Sequence, residues 1–260
     1  MQIGVSTSCL YPMLTEQSFR TLGEIGVHET EIFFNAQCET QGELFRGILA
    51  IQEEYGLHVQ AVHPYFTFAE SHLLFDNYRR RFEDGKDFVR QLCEAACRLG
   101  SKTMILHGEK EPFHISEEEY IERFGELAEL TAAMGVTLTQ ENVVRFRGQD
   151  PEFLSRMRQQ LGGLFAMTLD VKQAVRSGVD PLSLACRFAP QIVHLHLSDH
   201  GEKGDCLPVG EGSFDFSALF RTLRSGGFRG DGVVELYRRS WADAADLQKS
   251  AEKLSAILNF

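Results

Sequence analysis

No stretch of the 260-residue chain approaches the roughly 18 consecutive apolar residues of a membrane-crossing helix. The opening MQIGVSTSCLY lacks a cationic start followed by an apolar run, which argues against a secretory signal. The six cysteines, Cys9, Cys38, Cys93, Cys97, Cys186 and Cys206, include no Cys-x-x-Cys pair, and the chain is too long for a disulfide-stapled miniprotein. Cys93 and Cys97 share one face of a predicted helix, as ordinary packing residues do. Basic residues are in short supply, 26 against 37 acidic, giving a net charge of −11. Lys and Arg grip phosphate backbones and anionic membranes, so this deficit weighs against a broad nucleic-acid or membrane surface. It leaves room for a local site whose positive charge comes from a metal ion. These absences describe a reduced, soluble, cytoplasmic protein, and the 43% apolar content is enough for a substantial core.

No linker, charge block or low-complexity stretch divides the chain, so residues 1–260 read as a single domain. What recurs is a short β-rich run followed by a segment of helical spacing. The expected strands are 2–7, 30–34, 58–63, 103–107, 136–141, 165–170, 192–198 and 232–237. Between them, FEDGKDFVRQLCEAACRLG and EEEYIERFGELAELTAAMG place apolar residues three and four apart and stop at Gly100 and Gly135. Gly26, Gly56 and Gly230 also precede strands. Eight such alternations at this length imply an α/β protein with a parallel sheet, either closed as a (β/α)8 TIM barrel or open and doubly wound. No Gly-x-Gly-x-x-Gly follows the first strand, which removes the main signal for a dinucleotide-binding sheet and favours closure.

Barrel chemistry gathers at the C-terminal ends of the strands. Six successive strands end on or near His63, His107, Glu141, Asp170, His196 and Glu235. Side chains alternate along a strand, and the polar ones share a parity. Thr137, Thr139 and Glu141 oppose Val136 and Leu138; Thr168 and Asp170 oppose Met167 and Leu169; His194, His196 and Ser198 oppose Leu195 and Leu197. The polar sets therefore belong on the barrel axis. Taken singly, each has a plainer role: a strand histidine is often a hydrogen-bonded core residue, and Asp170 suits the cap of a following helix. Taken together, converging carboxylates would raise one another's pKa unless a cation neutralised them, and mixed imidazole and carboxylate donors suit a divalent metal.

So arranged, the residues resemble the xylose-isomerase-like TIM-barrel superfamily of sugar and sugar-phosphate isomerases and epimerases and endonuclease-IV-like proteins. The most specific similarity runs through IVHLHLSD (192–199), LPVGEGSFDF (207–216) and FRGDGVVELY (228–237), with TLTQEN (137–142) and TLDVKQA (168–174) beside it. The resemblance implies that Glu141, Asp170, His196 and Glu235 hold a divalent ion (Mn²⁺ or Zn²⁺, with Mg²⁺ or Co²⁺ as alternatives). It implies further that Glu141 and Glu235 move protons through a metal-stabilised enediolate of a small sugar or sugar phosphate. His63 and His107, in VHPYF (62–66) and ILHGE (105–109), correspond to ligands of a second metal in the endonuclease branch, or to substrate contacts in the sugar enzymes. A homodimer or homotetramer is in keeping with the same family.

The sequence departs from the family where an Asp-x-x-His motif reads Asp170-Val-Lys-Gln173. Lys172 and Gln173 are candidates for a substrate hydroxyl or phosphate, as are Asp199 and His200. Arg145 and Arg147 are a further phosphate candidate, against a solvated loop. Phe33, Phe34, Phe66 and Phe68 could wall the pocket, although core packing accounts for any one of them. His194 lies deeper on the inward face, in a supporting or core position. Asp205 has no accompanying histidine, so a trinuclear phosphodiesterase centre is incomplete. The leading expectation is a sugar isomerase or epimerase. The alternatives are a metal-dependent phosphodiesterase, an inosose-dehydratase-like lyase and a binding module without turnover.

Overall fold

Most of the short strands carry apolar residues on the outer face and polar ones on the inner, and the amphipathic segment that follows buries one stripe against that outer face. In the computed structural model, which describes residues 1–64 and 67–258, this pattern closes on itself. The strands are β1 (Ile3–Ser6), β2 (Glu29–Phe33), β3 (His58–His63), β4 (Thr103–Leu106), β5 (Thr137–Glu141), β6 (Met167–Asp170), β7 (Ile192–Leu197), β8 (Asp199–Gly201), β9 (Gly204–Leu207) and β10 (Asp231–Val234). The helices are α1 (Thr15–Glu24), α2 (Gly42–Tyr55), α3 (Thr67–Leu73), α4 (Arg79–Leu99), α5 (Glu117–Ala133), α6 (Pro151–Leu161), α7 (Val171–Arg176), α8 (Pro181–Phe188), α9 (Phe216–Ser225) and α10 (Ala245–Leu258). Eight strands form a closed parallel barrel in the order β1-β10-β7-β6-β5-β4-β3-β2, so the chain is a (β/α)8 TIM barrel. The expected strands are these eight, most of them shorter than expected, β3 as expected, and β2 and β10 each starting one residue earlier; Glu235 falls just beyond β10 rather than inside it. The two-stranded β8–β9 hairpin had no counterpart in the sequence reading. Among the described residues no helix is long and apolar enough to cross a membrane.

The two faces separate as the parity predicts. Leu138, Leu169, Leu195 and Leu197 are buried in the layer between sheet and helices. Inside, the Thr139 and Thr168 hydroxyls meet at 2.7 Å across β5 and β6. Gly100 (φ +76°) and Gly135 (φ +82°) end or follow α4 and α5 in the left-handed region, where glycine carries no Cβ penalty. All six cysteines are free; Cys93 is buried but Cys97 is exposed, so they do not share a packed face. Of the phenylalanines expected to wall the pocket, Phe34 packs in the core near Phe45. Phe66 and the side chain of Phe68 lie outside the described residues.

Gly230, before β10, is required for a different reason: a Cβ there would sit 1.9 Å from the Val193 carbonyl oxygen. Backbone cannot step aside as a side chain can, so Gly230→Ala should destabilise the barrel by about 1–3 kcal/mol, the usual cost of overpacking. A lower urea midpoint at unchanged slope is the expected reading; an unshifted midpoint would mean that β10 can move away freely.

Candidate metal centre

The C-terminal ends of β5, β6 and β7, and the residue following β10, bring Glu141, Asp170, His196 and Glu235 together. One donor atom from each lies within 4.8 Å of all the others. Two ligands of one ion bonded at about 2.0–2.2 Å can be at most roughly 4.4 Å apart, so the group needs only a small contraction to share a cation. His196 Nδ1 faces the carboxylates, at 3.2 Å from Glu141, 3.5 Å from Glu235 and 3.7 Å from Asp170. Asp170 is both a helix cap and a donor. Its Oδ1 accepts from the Gln173 amide at 2.8 Å, capping α7. Its buried Oδ2 has no hydrogen-bond partner, although Lys172 Nζ approaches to 3.2 Å. A buried carboxylate oxygen without a hydrogen bond, paired with the Lys172 ammonium and facing imidazole and carboxylate donors, fits a divalent cation.

The electrostatics of the group are strongly coupled. Burial works to raise the Glu141 carboxyl, but His196, with hydrogen bonds from His196 and His63, outweighs it and holds the group well below the usual carboxylate range. Burial is likewise outweighed at Glu235, chiefly by Lys172, and its carboxyl settles at about 2. At Asp170 burial prevails, helped by Glu235 and Glu141 against Lys172, and the pKa is raised. Burial opposes a proton on His196, yet Glu31, Glu235 and Glu141 keep its pKa well above that of a free imidazole. The mouth of the barrel is thus a place that attracts positive charge.

A residue absent from the sequence-based set completes the geometry. Glu31, inward-facing in the middle of β2, lies 2.9 Å from His196 Nε2 and 3.0 Å from His194 Nε2, and it accepts from Ser6 Oγ at 2.8 Å. One donor atom each from Glu31, His194 and His196 also lie within 4.8 Å of one another, so His194 shares Glu31 with the ligand candidate His196. A strand-end criterion passes over Glu31; the parity Glu29, Glu31, Phe33 was the available signal. On the other flank, one donor atom each from His63, His107 and Glu141 lie within 4.8 Å of one another. Glu70, also absent from the sequence-based set, approaches His107 at 3.4 Å.

Above the centre is a cavity of about 480 Å³ with Glu141, Glu235, His107, Lys172 and Gln173 in its wall, closed on its apolar side by Phe33, Val143 and Leu236. Lys172 Nζ donates to Glu235 Oε2 at 2.6 Å, and Ser8 Oγ to Glu235 Oε1 at 3.2 Å. Asp170 and His196 are only 1% exposed and do not line the cavity, whereas the Glu235 side chain is 15% exposed.

Several expected contacts are elsewhere. Asp199 accepts from the amides of Gly210, Gly212 and Phe214 and so wraps the 208–214 loop instead of meeting the cavity. Gly212 is needed there, since a Cβ would fall 2.4 Å from Asp199 Oδ1. His200 packs at a tilt against Phe214, ring centroids 4.8 Å apart, and is likewise absent from the cavity wall. Arg147 is buried, with Nε donating to Glu109 at 2.5 Å, and Arg145 is exposed; neither lines the cavity. Asp205 is bound by Arg176 and is no ligand of the centre.

Fold and site together define a class: residues 21–257 match the family described as "Xylose isomerase-like TIM barrel", and the chain belongs to it. An uncharacterized protein of Mycobacterium leprae is 26% identical over 95% of this chain and 92% of its own length. Among solved structures, a D-tagatose 3-epimerase-like protein superposes with TM-score 0.82 at 19% identity, covering 100% of this chain and 97% of that one. A 3-keto-D-glucoside 4-epimerase from E. coli does so with TM-score 0.78 at 18% identity, covering 98% and 99%. At these identities the structural likeness establishes the fold.

Glu31 touches His196 on the nitrogen facing away from the carboxylates, the position from which an outer carboxylate orients a metal-ligating histidine. Glu31→Gln should weaken Mn²⁺ or Zn²⁺ binding about 10–100-fold in calorimetric titration. Unchanged affinity would show that His196 needs no such support.

Proposed function

We propose that the protein is a divalent-metal-dependent isomerase or epimerase of a small sugar or sugar derivative. The observation that carries this reading is the division of labour in the donor cluster. Asp170 and His196 are sealed beneath the cavity, while Glu141 and Glu235 belong both to the cluster and to the cavity wall. Glu141, Asp170, His196 and Glu235 would hold the ion. When bound, such an ion supplies Lewis acidity, stabilising negative charge on a carbonyl oxygen and its neighbouring hydroxyl.

The chain's own residues account for the proton movements. Glu141 and Glu235 come from places three strands apart around the barrel, so they approach a bound sugar from different sides. Both are held ionised at neutral pH by the cations beside them, the form that accepts a proton. One takes the proton from the carbon next to the carbonyl, and the bonding pair moves towards the carbonyl oxygen. For epimerisation the other returns a proton on the opposite side; for isomerisation a proton is delivered to the former carbonyl carbon, while the hydroxyl proton passes to the former carbonyl oxygen, leaving the new carbonyl behind. Phe33, Val143 and Leu236 form the apolar side of the cavity wall against which the sugar would lie. Gln173, fixed by the Val144 amide at 3.3 Å, and Lys172 present polar groups to the sugar hydroxyls. A cavity of this size is in the usual small-molecule range of about 300–1,000 Å³.

The His63, His107 and Glu141 group favours a second reading, a two-metal phosphodiesterase. Metal stoichiometry separates the two: one ion per chain on elemental analysis supports the isomerase, and two ions with cleavage of an abasic-site duplex would replace it. For the isomerase, incubation of the metal-loaded protein with sugars in deuterated water should place deuterium on carbon. Glu141→Gln and Glu235→Gln should each reduce that exchange by roughly 10²–10⁴-fold. Exchange within tenfold of wild type in either variant would remove that glutamate from the proton path.

A further inference from the structure

Against the active-site cavity lies a second, more open groove of about 610 Å³, lined by Ser8, Tyr11, Arg176, Tyr237, Arg238 and Arg239. Ser8, Tyr11 and Tyr237 line both spaces, so the two share a wall. Three guanidinium groups and no carboxylate line this groove, in a chain with 37 acidic residues against 26 basic ones. Arg176 is fixed in place by a fork onto Asp205 and donates to the Tyr237 hydroxyl at 2.6 Å. Arg238 donates to the Trp241 carbonyl at 3.1 Å and stacks on its ring, 4.0 Å from the centroid. Arg239 has neither a hydrogen bond nor an ion pair among the described residues, and Arg238 has no carboxylate partner among them. By contrast Arg20, Arg156 and Arg187 each pair with a glutamate.

The Tyr237 ring gathers these charges. Lys172 Nζ lies 5.0 Å from its centroid, the Arg176 guanidinium 5.0 Å and the Arg239 guanidinium 5.5 Å. Lys172 and Arg176 already pair with carboxylates, so the charge left for an incoming oxyanion is that of Arg238 and Arg239, whose planar forks suit a phosphate or carboxylate.

The geometry points to this groove as the seat of an anionic group on the substrate, so that the molecule reacting over Glu141 and Glu235 is a sugar carrying a phosphate or carboxylate at the end remote from the reacting carbons. This assignment rests on the isomerase reading and narrows its substrate class. It also moves the anion handle away from Arg145 and Arg147, which do not line either space.

Inorganic phosphate and acetate serve as probes, titrated calorimetrically into metal-stripped and Mn²⁺-loaded protein. The proteins compared are wild type, Arg238→Ala/Arg239→Ala, and Arg239→Gln as a milder change at an exposed side chain. Saturable binding to metal-stripped wild type, weakened at least about tenfold in the double variant, is the expected result. Each lost charge-assisted hydrogen bond is worth that much or more. Tighter phosphate marks a sugar phosphate, and tighter acetate a sugar acid. Absence of saturable binding by both probes, equal binding by the double variant, or binding that requires Mn²⁺ and ignores the arginines would each overturn the assignment. Deuterium exchange on matched neutral and phosphorylated ketoses keeps the two readings apart. No exchange on any sugar counts against the proton-transfer reading while leaving the anion titration intact. Equal exchange on both members of a pair counts against the anionic substrate alone.

Discussion

Burial of several carboxylates around one point is the constraint on which the upper half of the barrel depends. Glu31, Glu141 and Asp170 are at most 2% exposed, and Glu235 is only slightly more open. Removing each such charge from water costs several kcal/mol unless partners replace the lost hydration. Histidines and Lys172 supply part of that replacement, and the pKa values of His196 and Lys172 are raised accordingly. The remainder is visible as Asp170 Oδ2, buried and without a hydrogen bond. A mixed set of imidazole and carboxylate donors, with one oxygen that has an ion pair but no hydrogen bond, is a donor set suited to a cation.

The surroundings hold this arrangement through groups that never reach the cavity. Asn142 donates to the Asp170 carbonyl at 2.9 Å and accepts from its amide at 2.8 Å, tying the end of β6 to β5. Gln140 donates to the His107 carbonyl at 2.8 Å and accepts from Tyr120 at 2.6 Å, which fixes the end of β4. The donors are therefore placed by strand ends locked to one another, and rigid placement is what a shared ion requires.

Much of this was legible because a strand repeats every two residues. Thr139 with Glu141, Thr168 with Asp170, and His194 with His196 each declare an inward face against leucines on the outer one, and the barrel follows from their repetition. Legibility failed where the determining contact was remote or the role depended on backbone. Glu31 sits in mid-strand, and its meaning comes from His194 and His196, more than 160 positions away. Asp199 looked like a pocket residue because it follows the ligand strand, yet its oxygens are consumed by amides of a loop whose path no local pattern reveals. Arg147 has the charge for a phosphate, but Glu109 claims it inside the protein.

The proposed anionic substrate meets a protein with a net charge of −11, and distance resolves the conflict. At physiological ionic strength charges more than about 8 Å apart are largely screened, so the negative surface as a whole has little say at the site. What counts is the local sequence of charges: the Asp170 and Glu235 carboxylates, then Lys172 held between them, then the Tyr237 ring, then Arg176 and Arg239 beyond it. That gradient gives a charged sugar one preferred direction. Its anionic end is drawn to the guanidinium groups, which leaves the carbonyl end over Glu141 and Glu235. A neutral sugar would feel no such torque, and the arginines would then have no part in positioning it.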